Sequence, residues 1–296
     1  MVGATLAQRI FESGMADVIL VDVLKNIAVG KSLDLIDAAP LTGTEAEIVG
    51  TDDYSRVSGS DIVVVTAGLP RKPGMTREDL IAKNAAIIKN VCSQIKNAAP
   101  EAVLIIVTNP LDTMTYLAWK VTGFSRNKVF GMAGELDSSR MASLIAEELK
   151  VRRRDVETMV LGSHGDTMVP LISKTRVSGR PVEDLIDKAS LEKIIQRTRD
   201  RGAEIVRSLG TGSAFYSPSA AVFSMLKTML GTKTLTHVVS ACLDGEYGLK
   251  DVCIGVPCRL GRSGIEKVLE LELSVGEAAQ FKSSAKAIRE TIALLG

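Results

Sequence analysis

The sequence predicts an α/β protein, a doubly wound parallel sheet over the first half of the chain followed by an α+β region. Three observations predict it. From the start to about residue 135, Val- and Ile-rich runs of strand length alternate with helical patterns, the signature of parallel strands joined by crossover helices. Several of these runs are apolar throughout, as strands covered on both faces must be. Beyond that point the alternation gives way to long helical patterns and strand-like pieces separated by turn signals such as "DGEYG". The boundary is placed there, giving regions 1–135 and 136–296, although no linker composition marks it.

The elements follow in order. "ADVILVDV" (16–23), "EAEIVG" (45–50), "DIVVVTAG" (61–68), "VLIIVTN" (103–109) and "VFGMAG" (129–134) read as strands. Helical patterns fill 3–14, 26–38, 77–98 and 112–122, and a further helix begins near Asp137. A short strand over 158–166 enters a Gly-rich turn. Helices are expected at 190–209 and 217–230, strands at 236–243, 252–260 and 265–273, and a last amphipathic helix at 275–295. In open parallel sheets ligands bind beyond the carboxyl ends of the strands, so those ends are where chemistry is sought.

Composition narrows the function. A chain of 296 residues buries a sizeable core without staples. A net charge of +1 gives no bulk electrostatic case for nucleic acid or an anionic membrane, so any positive charge that matters acts locally. No apolar run approaches the ~20 residues needed to span a bilayer, and no signal-peptide pattern opens the chain. Cys92, Cys242, Cys253 and Cys258 form no CxxC pair and no cluster with histidine. They are expected to be buried free thiols in a reducing cytoplasm, and no metal site is expected.

At the start, Gly3 opens a helical pattern, and the following strand ends at Asp22. This has the form of the back end of a dinucleotide site of Rossmann type. There a helix N-terminus receives the pyrophosphate, and an acidic residue about 20 positions on bonds the ribose. A carboxylate at Asp22 repels a 2′-phosphate and favours NAD over NADP. A helix-packing glycine and a turn aspartate give the same pattern.

Three further stretches carry candidate chemistry. In "GELDSSRM" (134–141), Asp137 and Arg140 project from one helix face, with Arg140 expected in the first turn, against the helix dipole. A solvated ion pair reads the same way. In "LGSHGDTMVP" (161–170), His164 sits between small residues at a strand end, where a proton-exchanging imidazole is accessible to a small molecule. His237, in the apolar pattern "LTHVVSACL", is expected to pack or cap. In "GLPRKPGMTRED" (68–79), Thr76 and Asp79 form a capping box, which puts Arg77 in a first helical turn. Arg71 and Lys72 precede it on a loop punctuated by Gly68, Pro70, Pro73 and Gly74, as lids often are.

Taken together, "TAGLPRKPGMTREDL", "VTNPLD", "GMAGELDSSR" and "VLGSHGDTMVP", in this order and spacing, resemble the lactate/malate dehydrogenase family, most closely its bacterial malate branch. The resemblance runs from Val2 to the C-terminus. It implies NAD as cofactor, malate and oxaloacetate as substrates, a homodimer or homotetramer, and a cytoplasmic location. It implies that His164 takes the proton of the malate hydroxyl and that Asp137 orients His164. Arg140 would clamp the C1 carboxylate, Arg77 polarise the carbonyl, and Asn109 bond substrate oxygen. Gly3, Asp22, Asn84, Thr108 and Asn109 would contact the cofactor. At the position of Arg71 the lactate enzymes have glutamine, so Arg71 implies a second substrate carboxylate. Two alternatives stay open: a catalytically silent relative that binds NAD or a metabolite, and a dehydrogenase of lactate or another 2-hydroxy acid. The chain departs from the family at its front, where a first strand and two glycines are expected before Met1. The expectation is an upstream extension of roughly a dozen residues, one strand plus turn; a chain that genuinely starts at Met1 would instead imply a sheet without its first, central strand, poor folding and weak NAD binding.

Overall fold

The computed structural model describes residues 1–70, 75–232 and 234–295. The elements in chain order are α1 (Val2–Glu12), β1 (Val18–Val21), α2 (Lys25–Thr42), β2 (Ile48–Thr51), β3 (Ile62–Val65), α3 (Arg77–Ala98), β4 (Val103–Ile106), α4 (Leu111–Thr122), β5 (Val129–Met132) and α5 (Gly134–Leu149). There follow β6 (Val156–Glu157), β7 (Val160–Gly162), β8 (Met168–Pro170), β9 (Arg176–Val177), β10 (Arg180–Pro181), α6 (Lys188–Leu209), α7 (Tyr216–Leu230), β11 (Thr236–Asp244), β12 (Lys250–Gly261), β13 (Gly264–Val268) and α8 (Val275–Ile292).

Strand–helix alternation yields the parallel pairs β1–β2, β3–β4 and β4–β5. The period-two rule sorts their side chains. Leu104 and Ile106 of β4 face one way, packing with Ile88 and Cys92 of α3 and Met114 of α4. Val103 and Ile105 face the other way, in the core that contains Leu6 of α1 and Val222 and Met225 of α7. The run "VLII" is buried throughout because both faces are covered.

β1 pairs only with β2, and β3 pairs only with β4, so the parallel strands form two sheets. This is the split expected of a doubly wound sheet without its first strand. Val21 of β1 and Val63 of β3 still pack around the same small cluster of Val57, Ala99 and Ala102.

The second region continues the larger sheet and adds a small antiparallel one of its own, β10-β9-β6. Antiparallel β11 joins β5, and the order runs β3-β4-β5-β11-β12-β7-β8. The carboxyl ends of β4 and β5 thus share one sheet with β7, which leads into His164. The helix over 217–230, equally compatible from its sequence with an oligomer interface or a core, is a core helix: Ala221, Val222, Met225, Leu226 and Met229 of α7 are all buried. The 26–38 pattern runs on to Thr42 through Pro40. Pro40 is exposed and lies in the last turn, where few intrahelical bonds remain to be lost, and Gly43 ends the helix at φ +73°. Among the described residues no helix is long and apolar enough to cross a membrane.

The cysteine expectation is corrected. Cys242 and Cys253 stand directly opposite each other in the β11–β12 ladder and are joined as a disulfide. Only Cys92 and Cys258 are free, both buried. Burial pushes the Cys92 thiol up to about 12, which keeps it protonated and unreactive. Spacing rules miss the bridge because cross-strand register, not sequence proximity, brings the sulfurs together. The argument from free thiols to a reducing compartment therefore loses its support. Alkylation of the denatured, unreduced protein is expected to modify only the two free cysteines, Cys92 and Cys258, with all four modified after reduction. Mass spectrometry finding four modified without reductant would refute the pairing.

Candidate active site

The site is built where α5 begins. Gly134, its first residue, must be glycine: a Cβ there would run into the Val160 carbonyl oxygen and the Val238 side chain. The bare backbone lets α5 start against β7 and β11. Ser138 fastens the contact, accepting from the Val160 amide at 3.0 Å, while Thr158 Oγ1 donates to the Ser138 carbonyl at 2.8 Å. Because α5 starts at Gly134 rather than near Asp137, Asp137 occupies the first turn, where the dipole favours an anion. Arg140 falls in the second turn, so the expectation that it opposes the dipole in a first turn is corrected.

β7 ends at Gly162, whose φ of +82° turns the chain sharply into Ser163 and His164. Ser284 of α8 accepts from the Ser163 amide at 2.8 Å, and the Ser163 and Thr167 hydroxyls lie 2.7 Å apart across the turn. His164 is delivered to Asp137: Nδ1 lies 2.7 Å from Asp137 Oδ2. The other carboxylate oxygen, Oδ1, is 3.4 Å from a terminal guanidinium nitrogen of Arg140. The Asp137 side chain is 1 % exposed, His164 13 % and Arg140 12 %. One buried carboxylate therefore sits between an imidazole and a guanidinium. With Nδ1 bound, Nε2 is the nitrogen left for a substrate, and it has no hydrogen-bond partner among the described residues.

Burial alone would pull the His164 pKa down, and Arg140 pulls the same way. The charge and hydrogen bond of Asp137, helped by the charge of Asp112, outweigh both and leave it raised. Arg140 is lowered by burial, which Asp137 partly offsets, and its Nε is buried without a hydrogen-bond partner among the described residues. A guanidinium held in this way suits a planar carboxylate.

Other predicted residues are placed as follows. Arg77 is exposed in the first turn of α3 behind the predicted capping box of Thr76 and Asp79, and no hydrogen bond or ion pair joins it to the His164 cluster. Arg71 and Lys72 lie outside the described residues. Asn109 is exposed just beyond β4, before a cis bond to Pro110. Thr108 is buried and donates to the Ala67 carbonyl at 2.6 Å, tying the ends of β3 and β4 together. Asn84 is also buried, and its side chain is fully engaged. It accepts from the Leu69 amide and donates to the Leu69 and Asn109 carbonyls. These bonds brace the backbone of Leu69 and Asn109 from behind. His237 packs as expected, buried with Nε2 2.8 Å from Thr228 Oγ1.

Gly3 and Asp22 come together at the cofactor end. α1 begins at Val2 with no side chain capping its first-turn amides. Gly3 lies so close to Thr66, just past β3, that a Cβ would stand 2.8 Å from its hydroxyl. Asp22 follows β1 and is near enough for its charge to act on the Met1 amino group, raising a pKa that burial and Lys31 lower. An uncapped helix N-terminus beside a carboxylate fits the pyrophosphate and ribose of a dinucleotide.

Residues 1–131 match the lactate/malate dehydrogenase NAD binding domain, and residues 134–295 match the alpha/beta C-terminal domain of the same family. The chain belongs to the lactate/malate dehydrogenase family. Among its relatives in that family, a malate dehydrogenase of Trichormus variabilis is 50 % identical over 291 residues, 98 % of this chain and 90 % of the relative. One of Methanosarcina barkeri is 47 % identical over 294 residues, 99 % of this chain and 96 % of the relative. Of solved structures, the malate dehydrogenase of Salinibacter ruber superposes with a TM-score of 0.94 at 43 % identity, covering 99 % of this chain and 94 % of that one. The lactate dehydrogenase of Cryptosporidium parvum, complexed with lactic acid and nicotinamide adenine dinucleotide, superposes with a TM-score of 0.95 at 36 % identity, covering 99 % and 94 %.

The motifs that single out this dehydrogenase family did not reveal two groups at the site. Asp112 accepts from the His164 amide at 2.9 Å, and Ser240 donates to Asp112 at 2.6 Å. Asp112 stands in "VTNPLD" and reads as an ordinary first-turn acid; nothing local points to a partner 52 residues away.

The His164–Asp137 pair also has a stability signature. Because the folded pKa of His164 is raised, the pair's contribution is fully present below the unfolded value of ~6.5 and is lost as pH rises through the folded value. In Asp137→Asn the imidazole is expected to titrate at lower pH than in the parent. Histidine NMR titration checks this, and an unchanged midpoint contradicts the arrangement.

Proposed function

We propose that the protein is an NAD-dependent malate dehydrogenase, interconverting (S)-malate and oxaloacetate. The observation that carries the reading is the buried Asp137 carboxylate with His164 on one oxygen and Arg140 on the other. His164 Nε2 takes the proton of the C2 hydroxyl as the C2–H bond breaks. Asp137 fixes the imidazole through Nδ1 and stabilises its cationic form. Arg140 holds the C1 carboxylate, Asn109 bonds substrate oxygen, and Arg77 stabilises the charge on the carbonyl oxygen in the reverse direction. NAD, when bound, supplies the hydride acceptor. The α1 N-terminus at Gly3, the Asp22 carboxylate and the Thr108–Asn109 corner are the groups proposed to hold it. Residues 1–135 form the cofactor region and 136–296 the catalytic region.

Arg71 selects the substrate in this reading. A charge-assisted bond to the second carboxylate of oxaloacetate is worth about 1.5–3 kcal/mol, and pyruvate leaves the arginine unpaired. The same choice disfavours lactate. A silent binding protein has no need of the Asp137–His164–Arg140 set. We further propose a cytoplasmic homodimer or homotetramer. The exposed Leu33, Ile36 and Leu41 on α2 support self-association, since apolar side chains on an outer helix are what a second copy covers.

The purified protein is expected to oxidise NADH in the presence of oxaloacetate, and His164→Asn to lose roughly 10³-fold or more in kcat. No turnover by folded protein shown to bind NAD would sink the reading. Arg71→Gln should lower kcat/KM for oxaloacetate and narrow its ratio to pyruvate. The raised His164 pKa sets the pH dependence. Malate oxidation needs neutral imidazole and falls off as pH drops through that pKa, whereas oxaloacetate reduction needs the imidazolium and falls off as pH rises through it.

A further inference from the structure

His164 is held twice. Its ring is fixed to α5 through Asp137, and its main chain is fixed to α4 through Asp112. Asp112 stands three residues past Asn109 and is itself pinned by Ser240 of β11. One carboxylate thus links the β4–α4 corner, which carries Asn109, to the turn that carries the imidazole and to the strand that joins the two regions.

The charge at Asp112 is not explained by packing. The side chain is buried, and among the described residues no lysine or arginine pairs with it. Its bonding partners are an amide and a hydroxyl, both neutral. An asparagine in the same place could accept from the His164 amide and donate to Ser240 Oγ, meeting both groups without burying a charge. Desolvation lifts the carboxyl to about 6 even though both hydrogen bonds pull it down. Its carboxylate is bonded to the His164 main chain, and its charge acts on the imidazolium of the same residue, with Asp137 also in favour and Arg140 against.

We propose that Asp112 is a positioning residue of the reaction, whose carboxylate sets the His164 imidazole relative to the Asn109 corner and, with Asp137, stabilises its protonated form. The proposal rests on the dehydrogenase reading above. It adds to that reading a second carboxylate that acts through His164 without touching substrate.

The test is Asp112→Asn in the full chain, which keeps the hydrogen bonds and removes the charge. The acid limb of kcat/KM for malate oxidation is expected to move down by roughly half a pH unit or more, since His164 loses one stabilising anion. In the same variant kcat should fall about 10-fold or more while KM for malate changes less than about 3-fold. Thermal stability above pH 7 should not fall, because a buried unpaired charge has been removed. An unmoved acid limb, or a loss of activity that only tracks lost stability, overturns the proposal. If the variant does not fold, the unmutated protein decides by NMR. The His164 amide should shift as its acceptor, Asp112, takes a proton near pH 6. A stationary amide overturns the tether. That measurement does not depend on turnover, so failure of the malate reading and failure of the tether are seen separately.

Discussion

The site depends on one constraint, the burial of the Asp137 carboxylate. Taking a carboxylate out of water costs several kcal/mol even after relaxation, and the cost is offset only when good partners occupy both oxygens. Asp137 has them, with the His164 imidazole on one oxygen and the Arg140 guanidinium on the other. Each partner must then arrive in a fixed place. The glycine at 134 lets α5 start against β7, Ser138 ties that start to Val160, and the left-handed turn at Gly162 aims His164 back at the helix. Together these meet the demand that a buried charge be paired. What results is an imidazole whose proton affinity is raised and whose far nitrogen has no hydrogen-bond partner among the described residues.

A second consequence follows from the shared sheet. β11 pairs with β5, so the strands that end near Asn109 and those that position His164 are parts of one rigid ladder. Ser240 on β11 and Asp112 on α4 cross the seam between the regions, so a shift of one region against the other would break the relay from Ser240 through Asp112 to the His164 amide. The cofactor end is organised differently. β1 and β2 stand as a separate pair, joined to the rest through apolar contacts such as Val21 and Val63 around one cluster rather than through a ladder.

Local patterns were legible in the sequence, and distant ones were not. The capping box of Thr76 and Asp79 and the start of α3 at Arg77 followed from a four-residue motif, because a cap is satisfied within its own turn. The i,i+3 spacing of Asp137 and Arg140 placed both on one face, and the ion pair is there. The start of α5 was misplaced by three residues because Gly134 was not read as a helix residue. Its reason for being there is a contact with Val160 and Val238, neither of which is near in sequence. The Cys242–Cys253 bridge escaped for the same reason, since only the β11–β12 register brings the pair together. Asp112 and Ser240 were invisible because their partners are 52 and 128 residues away.

Arg140 shows how the cost of the arrangement and its use are linked. Its guanidinium is mostly buried and lowered in pKa, and only a 3.4 Å contact to Asp137 offsets the loss of water. Its Nε has no acceptor among the described residues. A side chain placed for stability alone would turn toward solvent or close its hydrogen bonds on the backbone, as Arg176 does with the Ser173 and Thr175 carbonyls. Holding Arg140 under-bonded leaves its planar donors to a carboxylate, which then recovers interaction energy the folded chain alone does not realise. Because Asp137 contacts both side chains, the proposed substrate carboxylate on Arg140 would weaken one claim on Asp137 and leave more of its charge to the imidazole. On this argument, binding at the carboxylate end raises the proton affinity of His164 at the hydroxyl end, so that the base strengthens when the substrate is in place.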